Sequence, residues 1–228
     1  STASGQGRVG GLREDRPRGG DPEEGGAAYI YRDGIKSAME DEEAARFLTM
    51  ALAGRAANVA PLLARAVVLE GSELLLDVAA GSGIYSAALL QANPGLRAIA
   101  WERPEVVKVA LELAGEYGLG DRLECVSADM FVDEVPPGVD AILLSNVLHD
   151  WDVRECRELV TRLSAALPPG GKLLVHDVFL NDELDVPLPI ALYSASLFSL
   201  TAGRPYSAAQ YRLWMSESAP PPGRPPPA

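Results

Sequence analysis

Leu74-Leu75-Leu76-Asp77-Val78-Ala79-Ala80-Gly81-Ser82-Gly83 runs from a block of aliphatic residues straight into a loop of the smallest ones. The block is too short for a helix and too continuous for a half-exposed strand. Glu73 to Val78 therefore reads as a strand covered on both faces. The small residues after it let a ligand approach the backbone where the next helix opens. That helix is expected near 83–92, closed by Asn93-Pro94-Gly95.

Working outward, the pattern repeats. Arg97 to Glu102 reads as a second strand, and Pro104 sits in the first turn of a helix running to Tyr117. Arg122 to Ser127 reads as a third strand and Val139 to Ser145 as a fourth. Asp152 and Glu155 then cap a helix whose apolar face is Val153, Cys156, Leu159, Val160 and Leu163. Pro168-Pro169-Gly170-Gly171 stops it, and Lys172 to Val178 is a fifth strand. Strands alternating with amphipathic helices imply an α/β fold, a doubly wound and mostly parallel sheet covered on both faces. Ahead of it, Ser37-Ala38-Met39-Glu40 reads as a capping box opening a helix through Phe47, Leu48, Met50, Ala51 and Leu52. A second helical stretch carries Val59, Leu62, Leu63, Ala66 and Val67.

Four segments follow from this reading. Residues 1–28 hold eight glycines and only Val9 and Leu12 as larger aliphatics, so they are expected to stay disordered. Residues 29–70 are a short helical segment, and 71–215 are the ligand-binding α/β domain. Residues 216–228 form a proline-rich tail, which supports neither a helix nor a sheet ladder.

At 228 residues the chain is long enough for one α/β domain plus a modest extra segment. No apolar run reaches the roughly 18–20 residues that span a bilayer. The first residues lack the apolar core of a secretory signal, so cytoplasmic residence without a membrane partner is the expectation. A net charge of −12 with no offsetting basic patch argues against nucleic acid as partner. Cys125 and Cys156 are the only cysteines and lack metal-site spacing, so they read as reduced core residues and no metal site is expected.

Ligands of such sheets bind beyond the carboxyl ends of the strands. A second strand end, Leu143-Leu144-Ser145-Asn146-Val147-Leu148-His149-Asp150-Trp151, delivers one of only two histidines in the chain beside a carboxylate. An imidazole titrates near neutrality and can accept a proton at physiological pH. Glu102 ends the second strand, where an acid can accept hydrogen bonds from both hydroxyls of a ribose. After the third strand, Asp129 can take an adenine amino proton and Met130 can lay a thioether on the ring face. The loop is not GxGxxG, because Ile84, Tyr85 and Ser86 follow Gly83.

The series LLLDVAAGSG, WERPEVV, SADMF, SNVLHDWD and LPPGGKLLVHDVF resembles the S-adenosylmethionine-dependent O-methyltransferases of the caffeic-acid and hydroxyindole type, over roughly residues 37–215. The resemblance implies a Rossmann-like class I methyltransferase fold, S-adenosyl-L-methionine as cofactor, and a small hydroxylated aromatic or polyketide-like substrate. It implies that His149 is the general base and that Asp177 hydrogen-bonds its imidazole. The candidate cofactor residues are Asp77, Ala79, Gly81, Gly83, Glu102, Asp129, Met130 and Ser145. By strand alternation from Asp177, His176 is expected to face away and pack. Asp150 is expected to support the His149 turn or to form part of its cap. Leu192, Tyr193, Leu197 and Phe198, with Met50, are expected pocket walls.

Many relatives carry Gly-Gly where this chain has Ala79-Ala80, and an aspartate at Glu102. Plant relatives place a second acid where Pro205 stands, so Asp177 is expected to orient His149 alone. Relatives also carry a winged-helix dimerisation domain and a final antiparallel hairpin. The glycine-rich start and the prolines after Met215 lead to the expectation that both are absent here, and the usual homodimer interface with them. The edge of the fifth strand would then be unprotected. Two alternatives stay open: a catalytically impaired cofactor-binding fragment, and an NAD-linked oxidoreductase, which the missing GxGxxG disfavours.

Overall fold

The computed structural model describes residues 37–218, the Phe198 side chain excepted. The expectations for residues 1–28, for 29–36 and for the tail from 219 onward therefore lie outside the described residues. Five strands form one parallel sheet: β1 (Leu74–Val78), β2 (Arg97–Glu102), β3 (Leu123–Ser127), β4 (Ala141–Ser145) and β5 (Lys172–His176). Their order is β3-β2-β1-β4-β5. The chain winds outward from β1 to β3, then returns to β4 on the other side of β1. The winding direction reverses between β1 and β4, which opens a crevice at their carboxyl ends.

The helices α3 (Ile84–Ala92), α4 (Pro104–Glu116) and α5 (Val153–Ala166) connect the strands. β1 and β4 are buried on both faces, as their unbroken aliphatic sequences require. Leu75 and Leu143 pack with Leu89, Leu90 and Leu96 on one face. Leu76 and Leu144 pack with Leu159, Val160 and Tyr206 on the other. Each such leucine contributes about 1.5–3 kcal/mol by leaving water, so the two central strands form a rigid frame for the loops at their ends.

The helical segment forms α1 (Glu42–Ala56) and α2 (Ala60–Ala66). Ser37 does not open α1. It caps a single 3-10 turn, Ala38–Glu40, and Asp41 caps the helix by accepting from the Ala44 amide. Glu40 instead pairs with Arg103 at 3.4 Å, and Glu42 and Glu43 supply the negative charge a helix start favours. Ion pairs Arg46–Glu112 and Lys108–Glu42, each 2.5 Å, hold α1 against α4. Being exposed, such pairs contribute only about 0.2–1 kcal/mol each, so the buried Ala45 and Ala56 do more to seat the helix.

Beyond β5 the chain forms β6 (Phe179–Leu180), α6 (Leu188–Leu200), β7 (Tyr206–Ser207) and α7 (Ala208–Ser218). β6 and β7 make a small parallel pair apart from the main sheet. The fifth strand stops at His176, two residues short of the expected end, and α7 runs past Met215 to Ser218. Ser207 and Gln210 cap α7 reciprocally: the Ser207 amide donates to Gln210 Oε1, and the Gln210 amide to Ser207 Oγ. Among the described residues no single helix is long and apolar enough to cross a membrane.

Candidate active site

The site grows from the end of β4. Asn146 takes a left-handed conformation (φ 57°), which asparagine tolerates better than most residues, and its amide donates to the His176 carbonyl. The chain then makes one 3-10 turn, Leu148–Asp150, with His149 at its centre. Three contacts fix this turn. The Cys156 thiol donates to the Leu148 carbonyl at 3.1 Å, and the Tyr206 hydroxyl donates to the Trp151 carbonyl at 2.7 Å. Gly203 presses so closely that a Cβ there would collide with the His149 carbonyl oxygen and the Trp151 amide.

His149 is 3% exposed. Its Nδ1 lies 2.5 Å from Asp177 Oδ1. A carboxylate only accepts, so Nδ1 carries the proton and Nε2 keeps a lone pair. Asp177 is itself held from two further directions, by the Val178 amide at 2.8 Å and the Tyr211 hydroxyl at 3.1 Å. Asp177 thus orients the imidazole with help from Tyr211, which lies on α7 rather than in the loop around Pro205. Burial alone would disfavour the imidazolium. The Asp177 hydrogen bond and the charges of Asp177 and Asp150 outweigh burial, and the His149 pKa is raised above 6.5 despite an opposing push from Arg55.

Asp150 closes the turn through its backbone amide, which donates to the Val147 carbonyl. Its Oδ1 makes no hydrogen bond in support of the turn and lies 3.7 Å from His149 Nε2. Burial pushes this carboxyl up to about 6, against the pull of His149. Both nitrogens of the imidazole therefore face an acid.

A cavity of about 230 Å³ opens beside this pair, lined by Arg55, Val59, Tyr85, Asn146, His176, Asp177, Val178, Ile190 and Tyr193. The Tyr193 ring meets the His149 ring edge-on, 5.8 Å between centroids. His176 does not pack away from the site as alternation suggested. It lines the cavity, bonds Ser145 Oγ through Nδ1 at 2.8 Å and meets the Tyr85 ring at 5.1 Å. The strand ends at His176, so the two-residue period carries no information about Asp177 beyond it. Burial lowers the His176 pKa, which leaves the ring neutral. Of the expected walls whose side chains are described only Tyr193 lines the cavity: Leu197 is in the core, while Met50 and Leu192 are 42% and 62% exposed, and the Phe198 side chain lies outside the description. Arg55, Tyr85 and Asn146 were not singled out beforehand.

On the other side of the crevice the candidate cofactor residues meet around the loop after β1. The Gly81 amide donates to Glu102 Oε1 at 3.1 Å and the Arg103 amide to Oε2 at 2.6 Å, leaving each oxygen a further lone pair. The Ala128 amide donates to the Glu102 carbonyl, which brings the segment carrying Asp129 and Met130 up to the end of β2. Asp129 is exposed, whereas Met130 packs against the core. Gly81 and Gly83 have φ of 58° and 71°, and nothing lies within 4 Å of a Cβ at Gly81. Ala79 takes the same left-handed region at φ 54°. Asp77 bonds Ser86 Oγ at 2.7 Å through Oδ2, while Oδ1 is buried without a hydrogen bond. Burial pushes the Asp77 carboxyl up to about 7. Ser145 stands apart from this group, its hydroxyl engaged by His176 and Asn146.

Comparison with known proteins matches residues 23–219 to the O-methyltransferase domain model. A 3-hydroxy-5-methyl-1-naphthoate 3-O-methyltransferase from Streptomyces sahachiroi is 34% identical over 68% of this chain and 45% of its own length. Acetylserotonin O-methyltransferase from Bos taurus is 35% identical over 61% of this chain and 40% of its own. Among solved structures, an O-methyltransferase family 2 protein from Planctomyces limnophilus in complex with apigenin superposes with a TM-score of 0.73 at 54% identity, covering 76% of this chain and 55% of that one. The chain thus spans about half the length of the relatives it matches. The sheet order and these matches agree, and the chain belongs to the O-methyltransferase domain family with its class I methyltransferase fold.

Proposed function

We propose that the chain transfers a methyl group from S-adenosylmethionine to a hydroxyl oxygen of a small aromatic or polyketide-like compound, with His149 as general base. The observation that carries this reading is the His149–Asp177 pair at a strand end beside the cavity, with Nε2 free to accept. The substrate hydroxyl gives its proton to Nε2, and Asp177 stabilises the imidazolium through Nδ1. S-adenosylmethionine, when bound, supplies the electrophilic methyl of a sulfonium. The residues around the first loop fit such a group. Open space faces Gly81, Glu102 has acceptor capacity for ribose hydroxyls, and Asp77 has a buried unpaired oxygen for a cation. Asp129 would receive the adenine amino group. Holding acceptor oxygen and methyl in line can contribute about 7–11 kcal/mol, more than the roughly 10²–10⁴-fold of the base alone.

A cofactor-binding chain without turnover is the second reading, favoured by how little of His149 is exposed and by Asp150 standing in front of Nε2. Calorimetry with S-adenosylmethionine and mass-spectrometric detection of methylated product over a panel of phenols separates the two. His149→Ala is expected to lower kcat by about 10²–10⁴-fold while cofactor affinity stays unchanged. Undiminished product from that variant would remove His149 from the mechanism, and binding without product from the native chain would favour the second reading.

A further inference from the structure

Arg55 carries the single fixed positive charge among the described residues that line the cavity, and the proton-transfer chemistry makes no use of it. It sits in the last turn of α1, with its guanidinium carbon 6.0 Å from the centre of the Tyr193 ring. His149 and Asp150 both feel its charge. Among the described residues, however, it forms no ion pair with Asp150 or Asp177, and its side chain stays exposed. Most of the other lining groups are apolar or aromatic: Val59, Tyr85, Val178, Ile190 and Tyr193.

A guanidinium presents a planar fork of donors that matches a carboxylate. Among the described residues that fork pairs with no carboxylate, and it stands at the mouth of an aromatic-walled cavity. Tyr193 links it to the reacting centre, since His149 on one hand and Arg55 on the other lie within 6.0 Å of the same ring. One aromatic ring lying against Tyr193 can therefore reach both. An anion entering beside Asp150 and Asp177 would be repelled without a cation to receive it, and a neutral phenol has no need of one.

We propose that Arg55 binds an acidic group of the acceptor, so that the preferred substrates are aromatic hydroxy acids held with the carboxylate on Arg55 and the hydroxyl at His149. The placement of the hydroxyl rests on the methyl-transfer reading. The preference for an acid does not.

The test is a pair of calorimetric titrations of the full chain saturated with S-adenosylhomocysteine. One uses 3-hydroxybenzoate against its neutral near-isostere 3-hydroxybenzamide, the other 3-hydroxy-2-naphthoate against its amide. The native chain is expected to bind an acid about tenfold or more tightly than its amide, as a charge-assisted hydrogen bond allows. Arg55→Gln should bring that ratio close to one while leaving amide affinity intact, and Arg55→Lys should recover part of it. Equal native affinity for acid and amide, binding of neither pair, or equal loss of both in Arg55→Gln would overturn the proposal. In turnover, Arg55→Gln should raise KM for the acids with little change in kcat. Failure of every hydroxyl compound to accept a methyl group would count against methyl transfer alone, because the affinity ratio is measured without turnover.

Discussion

At the scale of single residues, Asp177 sets both the orientation and the basicity of His149. Its hydrogen bond and charge raise the imidazole pKa above 6.5 against the cost of burial. The proposed base works only when deprotonated, so the acidic limb of the rate profile is expected to rise through an inflection above 6.5. Asp177→Asn should move that inflection to lower pH and cut kcat by about 10²–10⁴-fold, since the amide no longer fixes the tautomer; a pH–rate profile of the two proteins checks both effects. The role of Asp177 was implied by the family resemblance, and His149 was readable in the sequence because it stands at a strand end beside a carboxylate. Tyr211 and Asp150 were not, because their role depends on which oxygen or nitrogen they face.

At the scale of elements, two loops carry the site and each holds a residue in a constrained position. Gly203 backs the His149 turn with no room for a side chain. Gly203→Ala is expected to cost about 1–3 kcal/mol through overpacking and to shift the turn, so that chemical denaturation and kcat should fall together. Ala79 stands in the left-handed region at φ 54°. That conformation costs a residue with a Cβ about 1–2 kcal/mol, against about 0.4–1 kcal/mol of added chain entropy for glycine. Ala79→Gly should therefore stabilise the protein by about 0.5–1 kcal/mol, seen as a higher denaturation midpoint. The alternation of strands and helices was legible because burial on two faces writes a continuous aliphatic run into β1 and β4. Element ends were less so: Ser37 looks like a helix cap by its spacing to Glu40, yet Asp41 takes that place and Glu40 goes to Arg103.

At the scale of the whole molecule, buried titratable groups tie stability to pH. Asp77 has its carboxyl pushed from 3.8 to about 7, first by burial, eased by Ser86 and reinforced by Glu102. With the folded pKa above the unfolded one, the folded state holds the extra proton in between, so stability falls as pH rises from 3.8 to about 7. The raised His149 acts in the same direction, its contribution present below 6.5 and lost as pH climbs through the raised value. Asp77→Asn should remove the first effect. Urea midpoints of the cofactor-free variant and native chain are expected to diverge in favour of the variant as pH approaches 7, and a constant gap would exclude it.

The family resemblance implied the pairing of His149 with Asp177, whereas the residues themselves carried the parallel α/β sheet, the crevice at the strand ends and the strand-end histidine. These follow from hydrophobic periodicity and from short motifs whose chemistry is local. Only the tertiary structure decided which distant residues share the cavity. Arg55 comes to the cavity from a helix ahead of the sheet and Tyr85 from α3, Tyr211 reaches Asp177 from α7, and His176 turns out to face the cavity it was expected to avoid. Such contacts depend on how helices dock on the sheet. Docking arises from the summed packing of many side chains, which no single stretch of sequence displays.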